Sequence, residues 1–288
     1  MTEPETSPGP APAPAVHLRG VGKTFAARRG TVVALEEIDL TIGSGEFVSL
    51  IGPSGCGKST LLRIVADLLP PTTGEVAVNG KPARRARLDQ DYGIAFQQAG
   101  LLDWRTVQAN IELPLELHGV DRAKRRARAG ELIELVGLSE FARHRPPQLS
   151  GGMQQRVAIA RSLAESPALL LMDEPFGALD EMTRERMQNE LVRIAGETGA
   201  AVVFVTHSIP EAVFLSDRVI VMSARPGRIS DVVAVDLGPR TDDTREAPAF
   251  YAAITQVREA LRGRPVPATA DVVADVEKAR RNAAEGAL

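Results

Sequence analysis

The chain has 288 residues, of which 44% are hydrophobic and 25% are charged, so its composition excludes intrinsic disorder for most of its length. Its formal net charge of −3 argues against a protein that binds nucleic acid mainly through electrostatic attraction. A single cysteine, Cys56, excludes an internal disulfide and a thiolate zinc cage. No apolar run reaches the roughly 18 to 20 residues that a membrane-spanning helix requires, so we expect any membrane role to depend on a partner.

The N-terminal part of the chain is predicted to be a tail followed by strands. Residues 1–15 contain five prolines and no large branched or aromatic side chain, which predicts an extended, solvated tail. Short strands are predicted at residues 17–21, 32–35 and 37–42. Residues 47–51 form an apolar run that stops at glycine, which is typical of a buried strand.

Residues 104–163 have a mostly helical pattern. Apolar residues recur at every second position from Ile111 to Leu117, which by itself favours a strand, but Asn110 could cap a helix and place Pro114 near its start. We therefore expect a helix there, and a second one that ends at Gly137.

Strand-like and helical segments then alternate. Apolar runs at residues 168–172, 201–205 and 219–222 are separated by helical stretches such as 181–195, which predicts a mostly parallel α/β sheet. Beyond residue 240, one apolar helical face predicts a packed helix, followed by a loose end.

A phosphate-binding loop follows the buried strand at 47–51. It has the form G-x-x-x-x-G-K-[ST] and consists of Gly52, Pro53, Ser54, Gly55, Cys56, Gly57, Lys58, Ser59 and Thr60. Its glycines let backbone N–H groups approach phosphate oxygens, and the following helix adds a positive dipole end. We expect Lys58 to reach the β- and γ-phosphates of ATP and Ser59 to ligate Mg²⁺. The alternative is a Gly-rich turn with a solvated lysine.

Two adjacent carboxylates, Asp173 and Glu174, end the apolar run that begins at Leu169. Neighbouring side chains on an extended chain point apart, so one can serve a metal while the other meets the attacking water. We expect Asp173 to contact Mg²⁺ and Glu174 to act as general base. On its own such a pair is more often part of a solvated turn, but the phosphate loop favours the catalytic interpretation.

A glycine pair follows the predicted helix cap Ser150, in the run Leu149-Ser150-Gly151-Gly152-Met153-Gln154. An ordinary capped helix is the alternative interpretation. The run resembles the LSGGQ-type signature of the ATP-binding cassette (ABC) family, with Met153 as a departure that is similar to a variant of many importer ATPases.

The resemblance implies further site residues. Gln97 is similar to the Q-loop glutamine, which touches Mg²⁺ and water, and His207 to the switch histidine at the γ-phosphate. Asp180 is similar to the D-loop aspartate, and Phe25 to the aromatic that stacks on adenine, although a phenylalanine taken singly is more often a core residue. The resemblance also implies that Ser150, Gly151, Gly152 and Gln154 face the nucleotide of a second copy.

The fold implied by the resemblance is an α/β P-loop NTPase of the RecA-like type. Its parallel-sheet core carries an N-terminal antiparallel β subdomain and an inserted α-helical subdomain. We expect this ATPase domain at residues 16–240, with the helical subdomain at about 98–165. The predicted tail precedes it at residues 1–15, and a C-terminal helical extension follows at 241–288.

The runs Phe96–Val107 and Ser223–Ile229 resemble importer ATPases of the nitrate, sulfonate and taurine type, although Asp103 and Ser208 depart from that pattern. The resemblance implies ATP and Mg²⁺ as cofactors and a place at the cytoplasmic face of the membrane, peripheral through the permease. Implied partners are a second copy, two membrane permease subunits and an extracytoplasmic solute-binding protein, without nucleic acid. Alternatives are a soluble ABC-type ATPase of translation control or DNA repair, and a small-molecule kinase.

Two further features have less specific interpretations. The basic run from Arg122 to Arg128 is expected to be a solvated helix face rather than a nucleic-acid patch. Trp104 could contact the permease or pack into the core, and the sequence favours neither.

Overall fold

A computed structural model describes residues 13–27 and 30–265 of the chain. The strands in chain order are β1 (Val16–Ala27), β2 (Gly30–Ile42), β3 (Phe47–Ile51), β4 (Thr73–Val78), β5 (Lys81–Pro82), β6 (Tyr92–Ala95), β7 (Leu169–Asp173), β8 (Ala201–Val205), β9 (Arg218–Met222) and β10 (Ile229–Ala234). The helices are α1 (Lys58–Val65), α2 (Ala83–Leu88), α3 (Val107–Leu117), α4 (Arg122–Leu135), α5 (Gly151–Ser162), α6 (Glu181–Thr198), α7 (Ile209–Leu215) and α8 (Pro248–Leu261). Most of the predicted tail and of the predicted loose end lie outside the described residues.

An antiparallel sheet of four strands, in the order β2-β1-β4-β5, forms one layer. The two short strands predicted at 32–35 and 37–42 are one strand, β2, whose pairing with β1 changes register near Glu37. Glu37 has a φ of 49°, so the backbone bulges there without ending the strand. The tail prediction was wrong at its last residue, because Ala15 is buried and its carbonyl accepts a hydrogen bond from Asn79 N at 3.0 Å.

A second sheet of six strands has the order β10-β9-β3-β8-β7-β6. Its neighbouring strands are parallel, except that β10 runs antiparallel to β9. Every residue of β3, β7 and β8 is buried, as expected of parallel strands covered on both faces. The carboxyl ends of β3, β7 and β8 meet at one edge of this sheet, which is where parallel α/β sheets bind ligands.

The helices α3, α4 and α5 lie in the chain between β6 and β7 and share one apolar core with them. The prediction that Asn110 caps α3 was wrong, because the helix begins a turn earlier. Thr106 is the cap, and its hydroxyl accepts a hydrogen bond from Ala109 N at 3.2 Å. Asn110 is fully buried inside the helix, and Pro114 lies in the helix interior rather than near its start.

The helix α8 packs beside β9, β10 and α7, and its residues Phe250, Ile254 and Val257 are buried in the same core. Within the described residues, no helix is long and apolar enough to cross a membrane.

Candidate nucleotide site

The phosphate loop lies between β3 and α1, at the carboxyl edge of the parallel sheet. Gly55 and Gly57 have φ values of 74° and 107°, which favour glycine over residues with a side chain. A Cβ atom at Gly57 would lie 2.6 Å from Leu35 Cδ2, so this glycine also permits a close approach to β2. The loop therefore has the tight backbone path that a phosphate cradle requires.

Lys58 is the buried cation of this loop, with 7% of its surface exposed. Its ammonium donates hydrogen bonds to the carbonyl oxygens of Gly52 at 2.7 Å and Pro53 at 3.2 Å. No carboxylate among the described residues forms an ion pair with it, so its positive charge remains available to bind a phosphate at the loop. Cys56 is also buried, and its Sγ lies 3.8 Å from Lys58 Nζ.

The partly buried Ser59 and the buried Asp173 place two oxygen-bearing side chains beside the loop. The Ser59 hydroxyl donates a hydrogen bond to Asp173 Oδ1 at 2.8 Å, and Asp173 is 2% exposed. Burial raises the pKa of the Asp173 carboxyl, while the Ser59 hydrogen bond opposes that shift. A hydroxyl and a buried carboxylate fit Mg²⁺, which binds through a few protein oxygens together with phosphates.

Glu174 holds the next position, directly after β7. Its Oε2 accepts a hydrogen bond from Gln97 Nε2 at 3.3 Å, and His207 Nδ1 lies 3.3 Å from the same oxygen. The residue has a φ of 47°, while its backbone N–H donates to Val205 O at 2.9 Å. The structure thus brings together Gln97, Glu174 and His207, which are far apart in the sequence.

A cavity of about 320 Å³ connects these groups to the antiparallel sheet. Its lining includes Phe25, Lys58, Ser59, Glu174 and His207. The Phe25 ring is 37% exposed and faces this cavity, so the alternative of a core phenylalanine was wrong. The volume is in the range of small-molecule sites.

The signature residues lie elsewhere on the chain. Ser150 is exposed and caps α5, and its Oγ accepts a hydrogen bond from Met153 N at 3.3 Å. The Gln154 amide donates to the carbonyls of Pro146 at 2.9 Å and Leu149 at 3.3 Å. Neither these residues nor Gly151 and Gly152 line the cavity beside Lys58.

Asp180 is likewise outside that cavity and caps α6. Its Oδ1 accepts a hydrogen bond from Thr183 N at 3.0 Å, and this backbone donor is the main reason that the pKa of Asp180 is lowered. Within one chain, the phosphate loop therefore lies next to Asp173 and Glu174. The signature residues and Asp180 lie outside the cavity beside Lys58.

The ABC transporter family matches residues 35–177. The chain is 48% identical over 241 residues to the taurine import ATP-binding protein TauB of Rhizobium johnstonii, covering 83% of this chain and 91% of that protein. It is 50% identical over 227 residues to an uncharacterized ABC transporter ATP-binding protein of Methanocaldococcus jannaschii, covering 79% of this chain and 84% of that protein. The chain belongs to the ABC transporter family.

A solved ABC cassette has the same fold. This dimeric cassette, in a post-hydrolysis state bound to ADP and Pi, matches with a TM-score of 0.72 and 38% identity, covering 77% of this chain and 99% of the cassette. The predicted P-loop NTPase fold and the predicted ATPase class are confirmed, and the small-molecule kinase alternative is wrong.

Two residues of this ABC ATPase were not singled out from the sequence. Arg225 lines the cavity, and its Nε donates a hydrogen bond to Gly55 O at 2.9 Å. Gln155 is buried on α5, and its amide donates to Phe96 O at 2.9 Å, directly before Gln97. Arg225 belongs to the run Ser223–Ile229, which resembles importer ATPases. That resemblance was the only sequence feature that could have drawn attention to Arg225.

Proposed function

We propose that this chain is the ATP-hydrolysing motor subunit of an ABC importer that moves a small anionic or related solute of the nitrate, sulfonate or taurine kind. The proposal places it at the cytoplasmic face of the membrane, held there by a permease. Support for import comes from the relatives named as taurine import ATP-binding proteins, which are 45 to 48% identical to this chain. The single observation that carries hydrolysis is Glu174, held between Gln97 and His207 beside the Ser59 and Asp173 pair.

The proposed roles follow the positions of the side chains. Phe25 stacks on adenine, the backbone of residues 52–60 surrounds the phosphates, and Lys58 contacts the β- and γ-phosphates. The metal ligands are Ser59, Gln97 and Asp173, and Mg²⁺ would offset the charge that develops on the phosphates. His207 contacts the γ-phosphate, and Glu174 accepts a proton from the attacking water.

The remaining predicted residues act across a dimer in this proposal. Ser150, Gly151, Gly152, Gln154 and Asp180 of one copy face the nucleotide of the other. The exposed helix start at Ser150 supports this role, because the first N–H groups of a helix attract an anion. The solved cassette that resembles this chain is itself dimeric.

The other proposed partners are two membrane permease subunits and an extracytoplasmic solute-binding protein that acts through them. Nucleic acid is not among the partners. In this proposal the cavity beside Lys58 binds the nucleotide, so solute specificity resides in the solute-binding protein and the permease.

Glu174→Gln tests the hydrolytic site. Gln keeps the shape of the side chain but cannot accept a proton, so we expect hydrolysis to slow by about 10² to 10⁴. ATP affinity should be kept or improved, because a negative charge near the γ-phosphate is removed. The variant should then elute as a dimer in Mg-ATP, where the wild type returns to monomer. Hydrolysis within a few-fold of the wild type would show that Glu174 is not the base.

Transport is tested by reconstitution. The chain is combined with its permease in vesicles that contain ATP, and uptake of taurine, an alkanesulfonate and nitrate is measured with the binding protein outside. Uptake that requires ATP and is lost with Glu174→Gln supports the importer. An ATP hydrolysis rate that is the same with and without the permease would favour a soluble ABC ATPase.

A further inference from the structure

The loop between β9 and β10, residues Ser223–Arg228, lies against the phosphate loop and has no role in the proposed hydrolysis. Its own turn is closed by hydrogen bonds from Ser223 N to Arg228 O at 2.9 Å and from Arg228 N to Ser223 Oγ at 3.1 Å. It is therefore an ordered connection that can hold a side chain in a defined place.

Gly227 fixes this loop to two neighbouring elements. Its N–H donates to Ala34 O at 3.0 Å, and its carbonyl accepts from Glu36 N at 3.0 Å, so the loop is joined to β2. A Cβ atom at Gly227 would lie 2.0 Å from Cys56 O, a distance that only glycine permits. The loop is thus in direct backbone contact with the phosphate loop.

Arg225 extends from this loop to the cavity. Its Nε donates to Gly55 O at 2.9 Å, and its guanidinium lines the cavity together with Phe25, Lys58 and His207. Within the described residues, no carboxylate forms an ion pair with Arg225, so its charge is not offset. Arg228 in the same loop is different, because its guanidinium pairs with Glu36 Oε2 at 2.9 Å and does not line the cavity.

We propose that Arg225 is a second nucleotide-binding cation, beside Lys58, that donates hydrogen bonds to the phosphate chain of the bound nucleotide. The hydrogen bond from Nε to Gly55 fixes the plane of the guanidinium and leaves the two terminal nitrogens for the ligand. A guanidinium fork matches phosphate oxygens, and a charge-assisted contact of this type is stronger than a neutral one. Phosphate is favoured over the base because Arg225 contacts the phosphate loop itself. This inference rests on the proposed nucleotide site.

The test compares Arg225→Gln with the matched control Arg228→Gln in the full chain. Affinities for Mg-ADP and for the slowly hydrolysed analogue Mg-ATPγS are measured by isothermal titration calorimetry. Arg225→Gln should weaken both about tenfold, since one charge-assisted contact is lost at a partly exposed site. Arg228→Gln should stay within about twofold of the wild type, because its charge is already paired.

Four further measurements separate a phosphate contact from a structural role or a base contact. Arg225→Lys should recover part of the affinity, because it restores the charge without the fork. The fold-loss for Arg225→Gln should be the same with Mg-GDP as with Mg-ADP, and the loss should shrink as salt is raised. Thermal unfolding of the ligand-free variant should stay within about 2 °C of the wild type, as expected for an exposed side chain.

Several results would overturn the inference. Affinity of Arg225→Gln within about twofold of the wild type would show that the guanidinium does not touch the nucleotide. Equal losses in Arg225→Gln and Arg228→Gln would assign the effect to the loop as a whole. A loss confined to ADP would assign it to the base. If Lys58→Ala weakens binding strongly while Arg225→Gln stays within about twofold of the wild type, the nucleotide site stands and only the proposed role of Arg225 fails.

Discussion

Glu174, the proposed general base, has a backbone conformation that is rare for residues with a side chain. Its φ is 47°, and the neighbouring Asp173 is buried and bonded to Ser59. The hydrogen bond from its N–H to Val205 O holds this conformation in place. Such backbone strain clusters at functional sites, which supports the proposed role of Glu174 as the general base.

The buried charge of Lys58 can be tested by substitution. Lys58→Ala removes a buried ammonium that the loop carbonyls of Gly52 and Pro53 hold in position. We expect ATPase activity to be lost chiefly through weaker nucleotide binding, by about tenfold or more in Kd, because a charged contact to two phosphates disappears. Titration calorimetry with Mg-ADP and a steady-state ATPase assay measure the two effects.

The control for Lys58→Ala is Lys124→Ala, which removes an exposed lysine from α4. This variant should bind nucleotide like the wild type. Unchanged affinity together with unchanged turnover in Lys58→Ala would refute the proposed role of the loop.

Asn110 shows at the element scale why a helix start is difficult to predict. Its amide group donates to the carbonyls of Leu102, Arg105 and Thr106, at 3.1, 3.2 and 3.0 Å, and its oxygen accepts from Leu102 N at 2.8 Å. The same residue type that caps a helix is here a buried support for the turn before it. Sequence pattern alone does not distinguish the two roles, because both use a short polar side chain that bonds nearby backbone.

Asn110→Ala should therefore destabilise the protein by about 3 kcal/mol, since it removes a fully buried side chain together with its four hydrogen bonds to the backbone. Thr106→Ala, which removes the actual cap, should cost only about 1 kcal/mol. Chemical denaturation of both variants measures the difference. Equal costs would mean that the Asn110 hydrogen bonds contribute little.

A buried carboxyl on α7 links the loop of His207 to the C-terminal part of the chain. Glu211 Oε2 accepts a hydrogen bond from the hydroxyl of Thr206, which precedes His207, and Oε1 accepts from Gln188 Nε2 at 3.1 Å. Gln188 Oε1 in turn accepts from Arg245 at 2.8 Å, and the Arg245 guanidinium lies 3.5 Å from the Phe214 ring centroid. The position of the His207 loop thus depends on packing around α6 and the turn at 242–246.

Glu211→Gln should make stability less dependent on pH. Burial raises the pKa of the Glu211 carboxyl above its ordinary value of 4.5, and the hydrogen bonds from Thr206 and Gln188 oppose the shift. The protonated carboxyl therefore favours folding below the ordinary pKa, and this contribution is lost as pH rises through the raised value. We expect the unfolding free energy of Glu211→Gln, relative to the wild type, to increase from pH 5 to pH 8. Urea denaturation at both pH values measures it, and a constant difference would contradict the prediction.

At the scale of the whole molecule, the parallel sheet and its binding edge were predictable from local pattern. The apolar runs of β3, β7 and β8 are short and fully buried, and each leads into a segment that carries predicted site residues. The loop geometry of the phosphate cradle also followed from its glycines. The contact between Arg225 and Gly55 was not predictable from pattern, because it arises from β9 lying next to β3 in the sheet.

The proposed site has two parts, the residues around Lys58 and the signature segment at Ser150, and they lie on different parts of one chain. Lys58, Asp173, Glu174 and His207 converge because their strands are neighbours. The Ser150 segment is placed by α5, on a different part of the surface, and it does not line the same cavity. In the proposed site, a second copy therefore supplies the Ser150 segment.

Ser150→Arg tests this requirement. The substitution removes the cap of α5 and places a bulky cation at the helix start, where it would block a partner's nucleotide. We expect the monomer to bind Mg-ADP with wild-type affinity, because Ser150 does not line its own cavity. Hydrolysis, measured with the permease present, should fall by about a hundredfold or more, since donors to the γ-phosphate are lost. Ser139→Arg, at an exposed position of the same helical region, is the matched control and should hydrolyse ATP normally. Full hydrolysis by Ser150→Arg would show that the signature does not complete the site of a second copy.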